Sequence, residues 1–277
     1  MVSPSALGGC PRALILERTT DFYQEPGQLY WAVRGSLIHG FLESSANVPG
    51  VIAERRLFKT VTDPETGRTF TLSGRFDYMS LTDKTLEDYK TIQDKSIDFI
   101  FNKGAKEDHV KQTNVYRWLM HGGHLDSLAG EQVWWDIHRI QVHYMTLAGV
   151  YSTGTTFQLE YGKWQLPKKT FGCETERKVI GQDKRGNDRY GITVTLPEVP
   201  LMDWADVEAH IFKYGPELAE AFEQDPYDIR AVLHDDDRNW QCRFCGPRPS
   251  CELLESQRNR PVKGQMAYVV NTEDTEY

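Results

Sequence analysis

The stretch GRFDYMSLTDKTLEDYKT, residues 74–91, constrains this chain more than any other, because it places Asp77, Asp88 and Lys90 on one predicted hairpin. Two runs rich in aromatic and β-branched residues, RTFTLSGRFDYMSL (68–81) and TLEDYKTI (85–92), flank the polar turn TDK, which is the pattern of strand, turn and strand. Side chains two apart on a strand project to one side. The Asp88 carboxylate and the Lys90 ammonium therefore emerge together, beside Asp77 of the neighbouring strand. Acids gathered on a half-buried sheet face are costly without a partner, and a divalent cation is one such partner. The bland alternative is a solvated hairpin whose surface ion pair contributes ~0–1 kcal/mol.

At 277 residues and 39% hydrophobic content, the chain is long enough for one large α/β domain with a substantial core. It contains no apolar run of about 18 residues. Its first residues, MVSPSALGGCPRALIL, lack the basic-then-apolar layout of a secretory signal. The expectation is a soluble, intracellular, cytoplasmic protein with no membrane partner, from a cell or a virus. The net charge of −8 argues against a constitutive nucleic-acid coat, whose affinity would rest on excess Lys and Arg. It does not argue against an enzyme acting on DNA. Part of the acidic excess sits in the tail NTEDTEY and in Asp235, Asp236 and Asp237, and a bound cation adds positive charge of its own.

Along the chain, YWAVRGSLIHGFLESSA (30–46) reads as a helix with Leu37 and Phe41 on one side, and with His39 and Glu43 four apart on one face. VIAERRLFKTV (51–61) is a predicted strand. With the hairpin it gives three successive strands, an antiparallel meander. KEDHVKQTNVYRWLMHGG (106–123) reads as a helix stopped by its glycine pair, and RIQVHYMTLAG (139–149) alternates as a further strand. Residues 150–200 form a β-rich insertion with a Gly-Asn-Asp turn signal. DWADVEAHIFKYGPELAEAFEQ (203–224) is predicted helical from a cap at Asp203, kinked or broken before Pro216. The chain reads as a single domain, 1–277. Its core is 25–149, its cysteine-bearing helical part is 1–24 with 201–260, and 261–277 is a tail.

Cys242, Cys245 and Cys251 form a C-x2-C-x5-C group, with Cys10 alone near the other end. In a reducing compartment, ligand duty is expected ahead of disulfides. Four thiolates serve zinc or an iron–sulfur cluster equally well, and spacing does not choose between them. The plain alternative is four ordinary thiols, which is the default reading for Cys173.

Taken in order, G-x-x-D at Gly74 to Asp77, D-x-K at Asp88 to Lys90 and Q-x-x-x-Y at Gln112 to Tyr116, with His39 ahead of them, resemble the motifs of PD-(D/E)XK nucleases of the RecB type. The cysteine bracket is similar to that of their iron–sulfur members, the AddB nuclease domain and the CRISPR-associated RecB-like exonucleases. The resemblance spans roughly residues 10–251. It implies a nuclease core of helix, three-stranded meander, helix and strand, and a metal-dependent DNA exonuclease, with or without endonuclease cutting, that works in DNA processing, recombination or repair. His39, Asp77, Asp88 and the Tyr89 backbone carbonyl would hold Mg²⁺ or Mn²⁺. Lys90 would position or activate water, and Gln112 and Tyr116 would hold the site or the strand beside it. A 4Fe-4S cluster on Cys10, Cys242, Cys245 and Cys251, with zinc as the lesser occupant, would staple the terminal segments together.

The implied partner is DNA, single-stranded or with free ends. The chain carries no G-x-x-x-x-G-K-[ST] motif, so a helicase or recombination motor would be a separate protein. A ring oligomer would suit processive digestion, although no residue demands one. The rival reading is a non-catalytic nucleic-acid-binding or assembly protein on a degenerate nuclease scaffold. Lys95, Lys103, Lys106, Lys111 and Arg117 suggest a phosphate track, or a mixed solvated face, since acids lie among them.

Overall fold

The computed structural model describes residues 1–7, 9–10, 13–16, 26–45, 48–160, 172–182, 184–186 and 188–223. Cys242, Cys245, Cys251, Trp240 and the tail lie outside them. The described chain is a mixed α/β protein. Helix α1 (Pro26–Ser45) precedes β1 (Val51–Ala53), β2 (Arg56–Thr62), β3 (Thr69–Arg75), β4 (Tyr78–Ser80) and β5 (Thr85–Thr91). Helices α2 (Ile97–Lys103) and α3 (Glu107–Leu119) follow, then β6 (His121–Leu125), β7 (Gln132–Trp134), β8 (Arg139–Met145) and β9 (Val150–Ser152). Next come β10 (Thr156–Glu160), β11 (Glu174–Gln182), β12 (Asp188–Thr195) and α4 (Trp204–Glu223).

The strands form three sheets, ordered β1-β4-β5-β8-β9, β3-β2-β6-β7 and β10-β12-β11. All pairings are antiparallel except β5 with β8, which the α2–α3 crossover makes parallel. The predicted meander of continuous strands is instead bent. The run 51–61 breaks between β1 and β2, the run 68–81 breaks between β3 and β4, and the two breaks face each other. Glu54 N donates to Asp77 O (2.9 Å) and Phe76 N donates to Arg55 O (3.2 Å), so the backbone stays paired through the corner. Glu54 turns the corner with φ 52°, a left-handed conformation that costs a non-glycine residue energy. Fully buried Phe76 anchors it, edge-on to Trp135 at 6.0 Å between ring centroids.

Strand β8 shows why the middle sheet holds: its alternation buries Ile140, Val142 and Tyr144 and leaves Arg139, Gln141 and His143 half-buried. Each such aliphatic side chain contributes about 1.5–3 kcal/mol by leaving water. Helix α3 buries Thr113, Asn114, Val115, Tyr116, Trp118 and Leu119, with Glu107 and Asp108 in its first turn and Arg117 in its last, the favourable sense for its dipole. It ends at Leu119, and the glycine pair at 122–123 belongs to β6 rather than to a helix cap. Helix α4 runs unbroken through Pro216, since its apolar side, Val207, Ile211 and Leu218, is held in the core. The N-terminal residues join the same body: Val2 N donates to Thr71 O and Val2 O accepts from Ser73 N, beside β3. Among the described residues, no helix is long and apolar enough to cross a membrane.

Leu37 and Phe41 on α1 are both 70% exposed, so the apolar stripe expected of this helix faces outward. Its other side lies on β5, where a Cβ at Gly35 would stand 3.5 Å from Thr91 Oγ1, and this turns His39 inward.

Candidate metal centre

Strand β5 delivers the first two groups. Asp88 is 2% exposed, and Lys90 Nζ, two residues on and on the same face, lies 3.1 Å from Asp88 Oδ1 and 3.0 Å from Oδ2. Only the first contact has hydrogen-bond geometry, so Oδ2 is a buried carboxylate oxygen that accepts no hydrogen bond. The Lys90 ammonium offsets part of the cost of burying it, and the oxygen keeps lone pairs that a cation could use. Glu87, next in sequence, faces the other way. It accepts from the Tyr89 hydroxyl (2.9 Å) and from His143 Nε2 (3.0 Å), and His143 stacks on Tyr89. The pleat of β5 thus selects Asp88 as the acid of the site.

Asp77 enters from the sheet corner. The Tyr89 N–H donates to its Oδ2 (2.7 Å), fixing the carboxylate so that Oδ1 lies 3.4 Å from His39 Nδ1. His39 Nδ1 also donates to Glu54 Oε1 (2.8 Å), whose other oxygen lies 3.3 Å from Arg75 Nε. Helix α3 adds Tyr116, nearly fully buried, with Gln112 hydrogen-bonded to its hydroxyl. Burial, then the charges of Asp88 and Asp77, raise its pKa well above the ordinary range, so it stays a neutral hydroxyl. Gly74 gives this ring its room, since a Cβ there would stand 2.5 Å from Tyr116 Cε1.

The donors suit a hard divalent cation: buried carboxylates, an imidazole, and an oxygen that accepts no hydrogen bond. His39, Glu54 and Asp77 each offer a ligand atom, all within 4.8 Å of one another. Glu54 was not among the residues singled out in the sequence. The signal was the acid interrupting the apolar start of VIAERRL, but its value depends on a corner that strand periodicity does not announce. Cys10 is half-exposed with a free thiol, and its three proposed companions lie outside the described residues. Cys173 is a buried thiol, 3.6 Å from Ile100 O. The lysine track is partly absorbed: Lys111 pairs with Glu107, and Arg117 donates to Met202 O and lies over the Trp204 ring. Trp135 packs inward, whereas Trp134 is exposed.

Burial, then the charge of Asp88, pushes Asp77 up to about 7, against the opposing pull of His39, the Tyr89 N–H and Lys90. His39 is raised by its hydrogen bond to Glu54, with burial opposing and the charges of Asp77 and Glu54 assisting. Both groups bind protons more tightly folded than unfolded. Their contribution is therefore fully present below an unfolded aspartate's pKa of about 4, and is lost as pH rises through 7. In EDTA, the melting temperature of the wild type should fall relative to Asp77→Asn between pH 5 and 8. A pH-independent difference would show that Asp77 is not held in this way.

No protein-family model matches the chain, and no curated protein matches it. One solved structure, described as "Crystal structure of SSO0001", is similar with a TM-score of 0.46 and 15% identity, over 91% of this chain and 86% of that chain.

Proposed function

We propose that this protein is a metal-dependent deoxyribonuclease of the RecB-like PD-(D/E)XK type, an exonuclease that hydrolyses phosphodiester bonds at DNA ends. One observation carries the reading: Asp77 and Asp88, both buried, converge with Lys90 at a point where an Asp88 oxygen accepts no hydrogen bond and where His39 and Tyr116 also arrive. A solvated hairpin would leave these acids in water.

Asp77, Asp88, His39 and the Tyr89 carbonyl would hold Mg²⁺ or Mn²⁺. The bound cation supplies positive charge for the phosphoryl oxygens and a water of lowered pKa. The chain's own residues do the rest. The Tyr89 N–H fixes one Asp77 oxygen, leaving the other for ligation. Lys90, held at Asp88 and partly exposed, places an ammonium where an attacking water and a phosphate would meet it. Tyr116 and Gln112 form a neutral wall behind the acids. The reading keeps the iron–sulfur staple on Cys10, Cys242, Cys245 and Cys251, whose support is the resemblance of the cysteine bracket to that of the iron–sulfur nucleases.

The test uses full-length protein purified without air and end-labelled single- and double-stranded DNA, with Mn²⁺, Mg²⁺ or EDTA. Cleavage that requires the cation is expected, with the label pattern giving polarity, and iron with acid-labile sulfide is expected in the purified protein. Metal-independent binding of DNA without cleavage would overturn the reading in favour of a scaffold.

A further inference from the structure

Helix α3 turns Tyr116 towards the acids, and the next residue, Arg117, begins an arrangement of another kind. Successive helical side chains leave the axis about 100° apart, so the two point in different directions. The Arg117 guanidinium lies over the Trp204 ring of α4, 4.0 Å from its centroid, and donates to Met202 O (2.9 Å). The His121 imidazole of β6 is tilted against the same indole at 5.6 Å between centroids. Trp134 of β7, the cross-strand partner of His121, meets that imidazole at 4.8 Å and 83°. Four side chains from four elements thus form one row: cation, indole, imidazole, indole. The row is open to water. His121 is exposed, Trp134 is 62% exposed and Trp204 is 37% exposed. Trp134 occupies the outward face of the end strand of its sheet, where a charged or small polar residue would serve the fold as well. Gly122 seats its indole: a Cβ there, at φ 92°, would stand 3.0 Å from Cη2 and 3.3 Å from Cζ2 and Cζ3.

Open aromatic faces with a guanidinium layered among them suit flat ring partners, and every nucleobase offers a π-face. Area argues against a protein partner. The two indoles leave at most about 250 Å² free, whereas a stable protein interface takes about 800 Å² from each side. Charge argues against a phosphate clamp. Asp136 and Asp203 lie within the field of Arg117, Glu208 accepts from Trp118 Nε1 (3.1 Å), and Lys59 is engaged over the Trp118 ring (3.6 Å) and on His121 O (3.0 Å). We propose that Trp134, His121 and Trp204 form a stacking platform for the unpaired bases of single-stranded DNA, held by ring contact more than by phosphate charge. The inference rests on the nuclease reading only for where the strand leads: α3, about 10–12 Å across, joins the platform to Tyr116 and the acids beside it. The platform itself stands on the geometry of the rings.

The experiment measures binding of fluorescein-labelled oligothymidylate to full-length protein in EDTA, where no cutting competes, by fluorescence anisotropy. The wild type should prefer it at least about fivefold over an abasic strand of the same length, and over its duplex with oligoadenylate, because neither offers open bases. Trp134→Ala should weaken binding at least about fivefold, the loss of one stacked base, and Trp134→Phe should restore most of it. Melting curves check that these exposed-site variants are folded. Salt should act weakly, with a log–log slope shallower than about −2, since few phosphates are neutralised. Equal affinity for the abasic strand, a steep salt slope, no binding by the wild type, or a folded Trp134→Ala that binds like the wild type would each overturn the proposal. So would a change of oligomeric mass in DNA-free Trp134→Ala with its oligonucleotide affinity intact, which would assign the rings to a protein interface. Asp88→Asn should keep the Trp134-dependent binding. Such binding in protein that never cuts DNA would sustain the platform and sink the nuclease reading.

Discussion

Asp88→Asn and Lys90→Ala are each expected to lower cation-dependent DNA cleavage by about 10²–10⁴-fold, the range lost when a positioned proton-transfer or charge-stabilising group is removed. The two should fail differently. Asp88→Asn replaces a buried ligand oxygen with an amide of the same shape, so Mn²⁺ should bind more weakly and excess metal should recover part of the rate. Lys90→Ala leaves the ligands in place, so saturating metal should recover nothing. It also removes the ammonium that lies 3.0–3.1 Å from both Asp88 oxygens, leaving a buried carboxylate that only the cation can compensate. That variant should therefore be stabilised by Mn²⁺ more strongly than the wild type is, which melting curves with and without metal would read. Glu87→Gln is the control. Glu87 faces His143 and the Tyr89 hydroxyl on the other side of β5, so its loss should cost at most a few-fold in rate. If both Asp88→Asn and Lys90→Ala cut as well as the wild type, the activity belongs to a contaminant and the reading fails.

That Asp88 and Lys90 share a face was legible because strand periodicity is a local property: residues two apart lie on one side whatever the tertiary structure does. Gln112 and Tyr116 were singled out by the resemblance to the Q-x-x-x-Y motif, and their spacing of four places them on one helix face. What the sequence hid was set by long-range geometry. The runs 51–61 and 68–81 read as unbroken strands, since their composition is strand-like throughout, yet both bend where Glu54 faces Asp77. That bend turns an unremarked glutamate into a neighbour of His39. The outward stripe of α1 is a similar case. Apolar spacing at Leu37 and Phe41 marks one side of a helix but not which side meets the sheet, and here the His39 side does. Helix α2 also went unforeseen, although Ile97, Ile100 and Phe101 are fully buried, because its seven residues are too short to show a period. The proposed cluster ligands remain as the sequence left them, with Cys10 the one of the four within the described residues.

Gly74→Ala should destabilise the fold and impair the site together, although Gly74 touches no proposed ligand. The reason is space: a Cβ there would lie 2.5 Å from Tyr116 Cε1 and 2.6 and 2.7 Å from the Cδ and Cγ of Pro4. Both neighbours are ring atoms in a closed core, with Tyr116 6% exposed and Val2 and Ala6 buried on either side of Pro4, so neither can swing aside cheaply. Inserting one methyl under those conditions costs about 1–3 kcal/mol. The added methyl would press the Tyr116 ring, whose hydroxyl sits within the field of Asp77 and Asp88, so the rate should fall at saturating metal as well. Coupling distinguishes this from general damage. With the ring removed, the clash with Tyr116 is relieved while that with Pro4 remains, so Gly74→Ala in a Tyr116→Ala background should still destabilise but by at least about 0.5 kcal/mol less than in the wild type, within the range seen for contacting residues (about 0.5–3 kcal/mol). Strict additivity in denaturant unfolding would mean that Gly74 is required for another reason, and that the glycine of the first motif and the tyrosine of the last are not two halves of one contact.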